Sequence, residues 1–328
     1  MRQLIIVLTL LGLGWAQPYN PERGDLRVVL LSDINGSYGS VTYAPGVLRA
    51  IEYTVTIWQP ELFLSAGDVI AGQSQQLPTV RFAEMWQAFD TQIALPLRRA
   101  DIPYAVALGN HDASSLTRSD GSYIFARERE AARSYWQQPM YQENLNYLER
   151  QDFPFHYSFV IGEVFVAVID ASSARFTPQQ QAWLEAQLAA PQAQSARVRL
   201  VVGHLPLYGV AEGRNRPGEV LDNGDDLRRL MERYRTDVYI SGHHHAYYPA
   251  RRGELRLLNT GGAPPRRLLG DNRPARSTVT VMDIHYQDAE IRLTTFDLAT
   301  WQVIDLAELP ERIDGLGGSL RRWDIDWD

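Results

Sequence analysis

Leu26 to Ser32 (LRVVLLS) is a short run of apolar and β-branched residues, the pattern of a buried strand, and Pro45 to Trp58 then carries apolar residues at helical spacing. A second cycle follows. Leu62 to Ser65 predicts a strand, Val80 to Ala94 an amphipathic helix and Tyr104 to Leu108 a third strand, so parallel strands joined by crossover helices are expected. Ser114 to Pro154 breaks this rhythm. It is polar and aromatic, with a charged helical stretch from Phe125 to Trp136, and reads as an insertion over one face. Beyond it, strands are predicted at Tyr157 to Ile161, Val164 to Ile169, Val198 to Val202, Val238 to Ser241, Leu255 to Leu258, Thr278 to Asp283 and Ile291 to Phe296. Helices are predicted at Pro178 to Ala189, with Thr177 as N-cap and Pro178 in the first turn, and at Asp225 to Tyr234. The Gly-rich stretch from Pro310 onwards reads as a peripheral tail.

The residues just after the predicted strands carry the chemistry. The first strand ends in Ser32-Asp33-Ile34-Asn35, the second in Ala66-Gly67-Asp68 and the third in Leu108-Gly109-Asn110-His111-Asp112. Later strands end in Gly203-His204 and Gly242-His243-His244-His245. Open α/β sheets bind ligands at the carboxyl ends of their strands, so these five segments are expected to converge on one site. Taken singly, an Asp or Asn there is a turn or cap residue. Taken together with four of the chain's seven histidines, they form a set. Asp33, Asn35, Asp68, Asn110, His204, His243 and His245 exceed what one tetrahedral ion needs and suit two divalent metals roughly 3.5 to 4 Å apart sharing a carboxylate.

Composition narrows the alternatives. The 328 residues contain no cysteine, and all 32 cationic residues are arginine. Thiolate metal sites, disulfides, a Walker lysine and Schiff-base chemistry are therefore excluded, and any metal must be held by carboxylate, amide and imidazole. The net charge of −7 disfavours nonspecific nucleic-acid binding.

These motifs resemble the calcineurin-like metallophosphoesterase family, whose ordered pattern is Asp-x-His, Gly-Asp, Gly-Asn-His-Asp/Glu, Gly-His and Gly-His-x-His; Asn259-Thr260-Gly261-Gly262-Ala263 is similar to the segment that follows. The resemblance implies an α/β fold in four layers, an αββα sandwich of two mixed sheets flanked by helices. It also implies a dinuclear hydrolase of phosphate mono- or diesters, in which a metal-bridging hydroxide attacks phosphorus. Carried over residue by residue, it assigns Asp33 and His245 to the first metal, Asp68 to the bridge, and Asn110, His204 and His243 to the second. His111 becomes the acid beside the leaving group, with Asn110 and His111 as substrate contacts. The chain departs from the pattern at Asn35, where the family usually has histidine. An amide oxygen is harder than imidazole, so among Mn, Fe, Zn and Mg the expectation favours Mn. The same departure leaves a second reading open, a metal- or ligand-binding module with decayed catalysis.

Further expectations concern the surroundings. Arg214, Arg216, Arg266 and Arg267 are candidates for binding phosphate oxygens. His156 and His285 read as ordinary core or surface histidines, Tyr38 and Tyr208 as packing residues with lining of the pocket as the alternative, and His244 and Asp112 are left unassigned. Arg2, the apolar run Leu4 to Gly14 and Trp15-Ala16-Gln17 have the pattern of a cleaved export signal over residues 1–16, too short to span a membrane. A linker (17–24), a phosphoesterase domain (25–300, insertion 114–154) and a C-terminal extension (301–328) complete the expected organisation. The expected partner is a small phosphate ester, with no nucleic acid, retained membrane anchor or partner protein.

Overall fold

A computed structural model describes residues 18–138 and 144–325; the expected signal at 1–16 lies outside them. In chain order the elements are β1 (Leu26–Leu30), α1 (Pro45–Tyr53), β2 (Leu62–Ser65), α2 (Thr79–Phe89), α3 (Leu95–Arg99), β3 (Tyr104–Val106), α4 (Asn110–Ala113) and α5 (Ala126–Trp136). They continue with β4 (Asn146–Glu149), β5 (Tyr157–Ile161), β6 (Val164–Val168), α6 (Pro178–Ala189), α7 (Pro191–Ser195), β7 (Val198–Val202), α8 (Gly224–Arg233) and β8 (Val238–Ser241). The chain closes with β9 (Tyr248–Arg252), β10 (Leu255–Asn259), β11 (Thr278–His285), β12 (Glu290–Asp297), β13 (Arg312–Gly315) and β14 (Gly318–Arg322).

The strands form two mixed sheets. One has the order β12-β11-β1-β2-β3, the other β13-β14-β9-β10-β8-β7-β6-β5-β4. In the first, β1, β2 and β3 run parallel, β11 runs antiparallel to β1, and β12 pairs antiparallel to β11. In the second, β6, β7, β8 and β10 are the parallel core. Val166, Val168, Leu200, Val202 and Ile240 join the first sheet's apolar cluster, whereas their strand neighbours Phe165, Ala167, Val201 and Tyr239 pack in a second cluster with Leu184, Leu188, Leu227 and Leu230 of α6 and α8. Two-residue alternation therefore distributes the second sheet between a buried inter-sheet layer and a helical cover. Trp86, Phe89 and Leu97 carry the α2–α3 cover into the first cluster. The α6 cap forms as its sequence predicts: Thr177 Oγ1 accepts from Gln180 N–H while Gln180 Oε1 accepts from Thr177 N–H.

Several segments depart from the sequence pattern. The predicted helices at 45–58 and 80–94 each finish in a π-helical turn, at Thr54–Trp58 and Asp90–Ala94. The tail after Pro310 folds as the β13–β14 hairpin and pairs onto β9 at the sheet edge. Among the described residues no helix is long and apolar enough to cross a membrane.

One buried ion pair pins the first sheet's register. Arg27, 1% exposed, donates from Nε and Nη2 to the two carboxylate oxygens of Asp283 at 2.8 and 3.0 Å, and the two residues face each other across β1 and β11. Removing the carboxylate in Asp283→Ala strands a buried guanidinium and should lower unfolding stability by about 3–5 kcal/mol in urea titrations. Glu22→Ala, which breaks an exposed pair with Arg292, should change it by less than about 0.5 kcal/mol.

Candidate metal centre

The five predicted segments do meet, at the carboxyl ends of β1, β2, β3, β7 and β8. Asp33 N–H donates to the Gly67 carbonyl, and Ile34 N–H to that of Asp68, which joins the first two loops. His243 N–H donates to Asp33 Oδ1 at 2.7 Å, and His204 Nδ1 lies 2.7 Å from the Ala66 carbonyl, which joins the two sheets. The turns are tight enough to place Asp33, Asp68, His243 and His245 at positive φ, of 53°, 54°, 63° and 51°. Non-glycine residues in that region cost of order 1–3 kcal/mol each, a concentration typical of sites where geometry serves function. The flanking glycines allow the approach: a Cβ on Gly109 or Gly242 would overlap the carboxylate of Asp68 or Asp33 respectively.

Ligand-capable atoms of Asp68, His204 and His243 lie within 4.8 Å of one another, and so do those of Asp33, Asp68 and His245. Asp68 belongs to both groups. His204 Nδ1 donates to the Ala66 carbonyl, which turns Nε2 towards Asp68 Oδ2 at 3.2 Å and Asn110 Oδ1 at 2.9 Å, so that a positive charge, a proton on Nε2 or a metal ion in its place, must sit between them. His245 Nδ1 likewise donates to the Pro264 carbonyl at 2.8 Å and leaves Nε2 at 3.4 Å from Asp33 Oδ1. Asp33 Oδ2, Asn35 Oδ1 and His243 Nδ1 are buried acceptors without a protein donor. Each such atom costs about 1–3 kcal/mol when left unpaired. The donor set therefore fits divalent cations, which satisfy oxygen and imidazole acceptors together.

The electrostatics agree. Burial and the neighbouring Asp68 raise Asp33 to about 7, against the favourable His204. Burial opposes ionisation of Asp68 too, but His204 and His111 hold it well below the usual carboxylate range. His204 rises to about 9 despite its burial because Asp68 and Asp33 favour its charged form. The cluster attracts positive charge.

Several supporting residues escaped the sequence reading. Asp112, fully buried, does not orient His111; its carboxylate accepts from the backbone N–H groups of Asp68, Val69, Ile70 and Gly109 at 2.7–2.9 Å and so clamps two ligand loops. His111 Nδ1 instead donates to the Gly72 carbonyl at 3.0 Å, leaving Nε2 4.0 Å from Asp68 Oδ2. A backbone carbonyl leaves no side-chain signature to find. Asn110 Nδ2 donates to Gln73 Oε1 at 2.7 Å, and the insertion helix α5 holds the adjoining backbone through Glu128, which accepts from the N–H groups of Gln73 and Ser74. Arg129 of the same helix pairs with Asp170 and donates to the Ala113 carbonyl.

Glu219 is the most consequential of them. Its Oε2 lies 2.8 Å from His243 Nε2 and accepts from Arg214, its Oε1 accepts from Arg216, and its carbonyl accepts from His244 Nε2 at 2.9 Å. A carboxylate on Nε2 fixes the proton there and turns Nδ1, the unpaired atom, towards the acceptor cluster. His244 thus has a structural role, also accepting from Val210 N–H. Of the four candidate arginines, Arg214 and Arg216 serve Glu219 and Arg267 pairs with Glu212, while Arg266 donates its backbone N–H to the His245 carbonyl. Tyr38, expected to pack, is 62% exposed with its ring centroid 5.2 Å from that of His111. Tyr208 is buried and donates to Asp225, and His156 packs on Trp183, away from the cluster.

A sequence profile of the calcineurin-like phosphoesterases matches residues 26–247. The chain is 22% identical over 216 residues to probable purple acid phosphatase 20 of Arabidopsis thaliana, an alignment covering 65% of this chain and 45% of that protein. It thus matches less than half the length of that relative. Among solved structures, the purple acid phosphatase PPD1 of yellow lupin superposes with a TM-score of 0.65 at 18% identity, covering 88% of this chain and 54% of that one. A dimetal phosphatase from Danio rerio superposes with a TM-score of 0.52 at 13% identity, covering 82% and 95% of the two chains.

The Glu219 arrangement makes a specific prediction. Glu219→Gln, which keeps the shape but weakens the grip on His243, should reduce the affinity of one of two manganese sites by about 10- to 100-fold in titration calorimetry. Unchanged binding of both ions would remove Glu219 from the metal centre.

Proposed function

Because the chain belongs to the calcineurin-like phosphoesterase family, we propose that it is a dinuclear-metal phosphoesterase acting on small phosphate mono- or diesters. The observation that carries this reading is the pairing of a two-group acceptor cluster sharing Asp68 with a histidine whose Nε2 is left for proton transfer. Asp33, Asn35, Asp68 and His245 would hold one ion, and Asp68, Asn110, His204 and His243 the other. Divalent ions bound there supply Lewis-acid charge stabilisation and acidify water.

The chain's own groups do the remaining work. Gly72 holds His111 through Nδ1, so Nε2 delivers a proton to the departing ester oxygen. Gln73 takes the amide N–H of Asn110 and aims Oδ1 inward beside His204. Asp112 keeps the loops bearing Asp68 and Asn110 at fixed separation, so the ligand groups need little rearrangement on loading. Asn35, with its buried unpaired oxygen, supports the preference for Mn over Zn in the first position. Export remains part of the reading, supported by the Arg2, Leu4 to Gly14 and Ala16 pattern; retention of Met1 in secreted material would refute it.

Protein stripped with chelator and reloaded with Mn, Mg, Fe, Co or Zn should hydrolyse chromogenic phosphate esters, and His111→Ala should lower kcat by about 10²- to 10⁴-fold. Absence of turnover with every ion would favour the binding-module reading. Asn35→His should shift competition at the first position from Mn towards Zn, measured by metal analysis after equilibrium dialysis.

A further inference from the structure

Two guanidinium groups hold one carboxylate beside His243, and a third stands nearby on the loop that follows His245. Arg214 Nη1 lies 3.3 Å from His243 Nε2 and pairs with Glu219 at 2.5 Å, and Arg216 pairs with the other oxygen of Glu219 at 2.9 Å. Arg266 follows the His245 loop, its backbone N–H donating to the His245 carbonyl at 2.9 Å, and its Nη1 approaches Gly213, the neighbour of Arg214. Its guanidinium has no hydrogen-bond or ion-pair partner among the described residues, although its Nε is shielded from water. The Nε of Arg214 is buried and unpaired as well. Burial, then Arg214 and Arg216, disfavour the charged form of Arg266, with Glu219 opposing them. Charge of one sign is thus in excess next to the metal centre, and a planar fork of donors lies idle there.

We propose that Arg266, backed by Arg214, is an anion subsite that makes the centre selective for dianionic phosphoryl groups, and hence for phosphate monoesters over diesters. The inference rests on the phosphoesterase reading above and names its substrate class. A monoester, like orthophosphate above its second pKa, presents one more oxyanion than a diester once the metals are engaged. A partly desolvated guanidinium binds that extra charge bidentately, whereas a diester offers an alkylated oxygen in its place. The Arg214–Glu219 pair holds Arg214 from collapsing onto the new anion, so Arg266 is the group free to bind it.

The test is calorimetric and independent of turnover. Manganese-loaded protein is titrated with orthophosphate at a pH above its second pKa, and separately with dimethyl phosphate, a monoanion. Wild type should bind orthophosphate more tightly, and Arg266→Ala should weaken orthophosphate by about tenfold or more while changing dimethyl phosphate by less than about threefold. Arg266→Lys, which keeps charge but loses the fork, should fall between, and Arg267→Ala, whose residue pairs with Glu212, should match wild type. Unaltered melting temperature and manganese content in Arg266→Ala show that folding and loading are intact. Equal binding of the two anions by wild type, or equal weakening of both in Arg266→Ala, would overturn the subsite. Selective orthophosphate binding without turnover of any ester would sustain it while refuting the enzyme.

Discussion

Too many acceptors meet in one buried place for protein donors to satisfy. Asp33, Asp68 and His204 are essentially inaccessible, Asn35, Asn110, His243 and His245 nearly so, and among them three acceptor atoms find no donor. A protein interior tolerates that only if positive charge is brought in. The rest of the molecule is arranged around this demand. Two sheets bring five strand ends together, and residues of four ligand positions accept left-handed backbone so that their side chains point at a common volume.

The supports are themselves buried polar contacts, which is why the site is specified and not merely crowded. Asp112 gathers four backbone N–H groups from two loops, and the carbonyls of Ala66 and Pro264 select tautomers of His204 and His245. Glu219 does the same for His243 from the opposite nitrogen. Each histidine therefore turns one defined ring nitrogen towards the cluster, the condition for ligation without reorganisation. The insertion takes part through α5, where Glu128 holds the backbone of Gln73 and Ser74, and Gln73 in turn holds Asn110.

Much of this was legible in the chain. Apolar runs such as LRVVL and VFVAV admit few readings other than buried strands, and strand-end Asp, Asn and His residues follow from where open sheets bind ligands. What the sequence could not disclose shares one property: it depends on long-range placement without local periodicity. Glu219 lies in the loop between β7 and α8, with no motif around it, and meets His243 24 residues later. The partner of His111 is a backbone carbonyl. The β13–β14 hairpin is Gly-rich, so its strand identity comes from the β9 edge it completes and not from propensity. For Tyr38 the sequence favoured packing over pocket lining, because an aromatic after a motif usually packs, but its loop projects it beside His111 at the surface.

Metal content per chain decides whether the acceptor cluster is a site for two cations sharing Asp68. Chelator-stripped protein should be equilibrated with excess Mn, desalted and analysed for metal per chain, alongside Asp68→Asn. Wild type should hold two ions per chain, one for each acceptor group, and lose both tight sites when the shared carboxylate is neutralised. One ion or none at saturation, or full loading of Asp68→Asn, would contradict a two-cation site sharing Asp68.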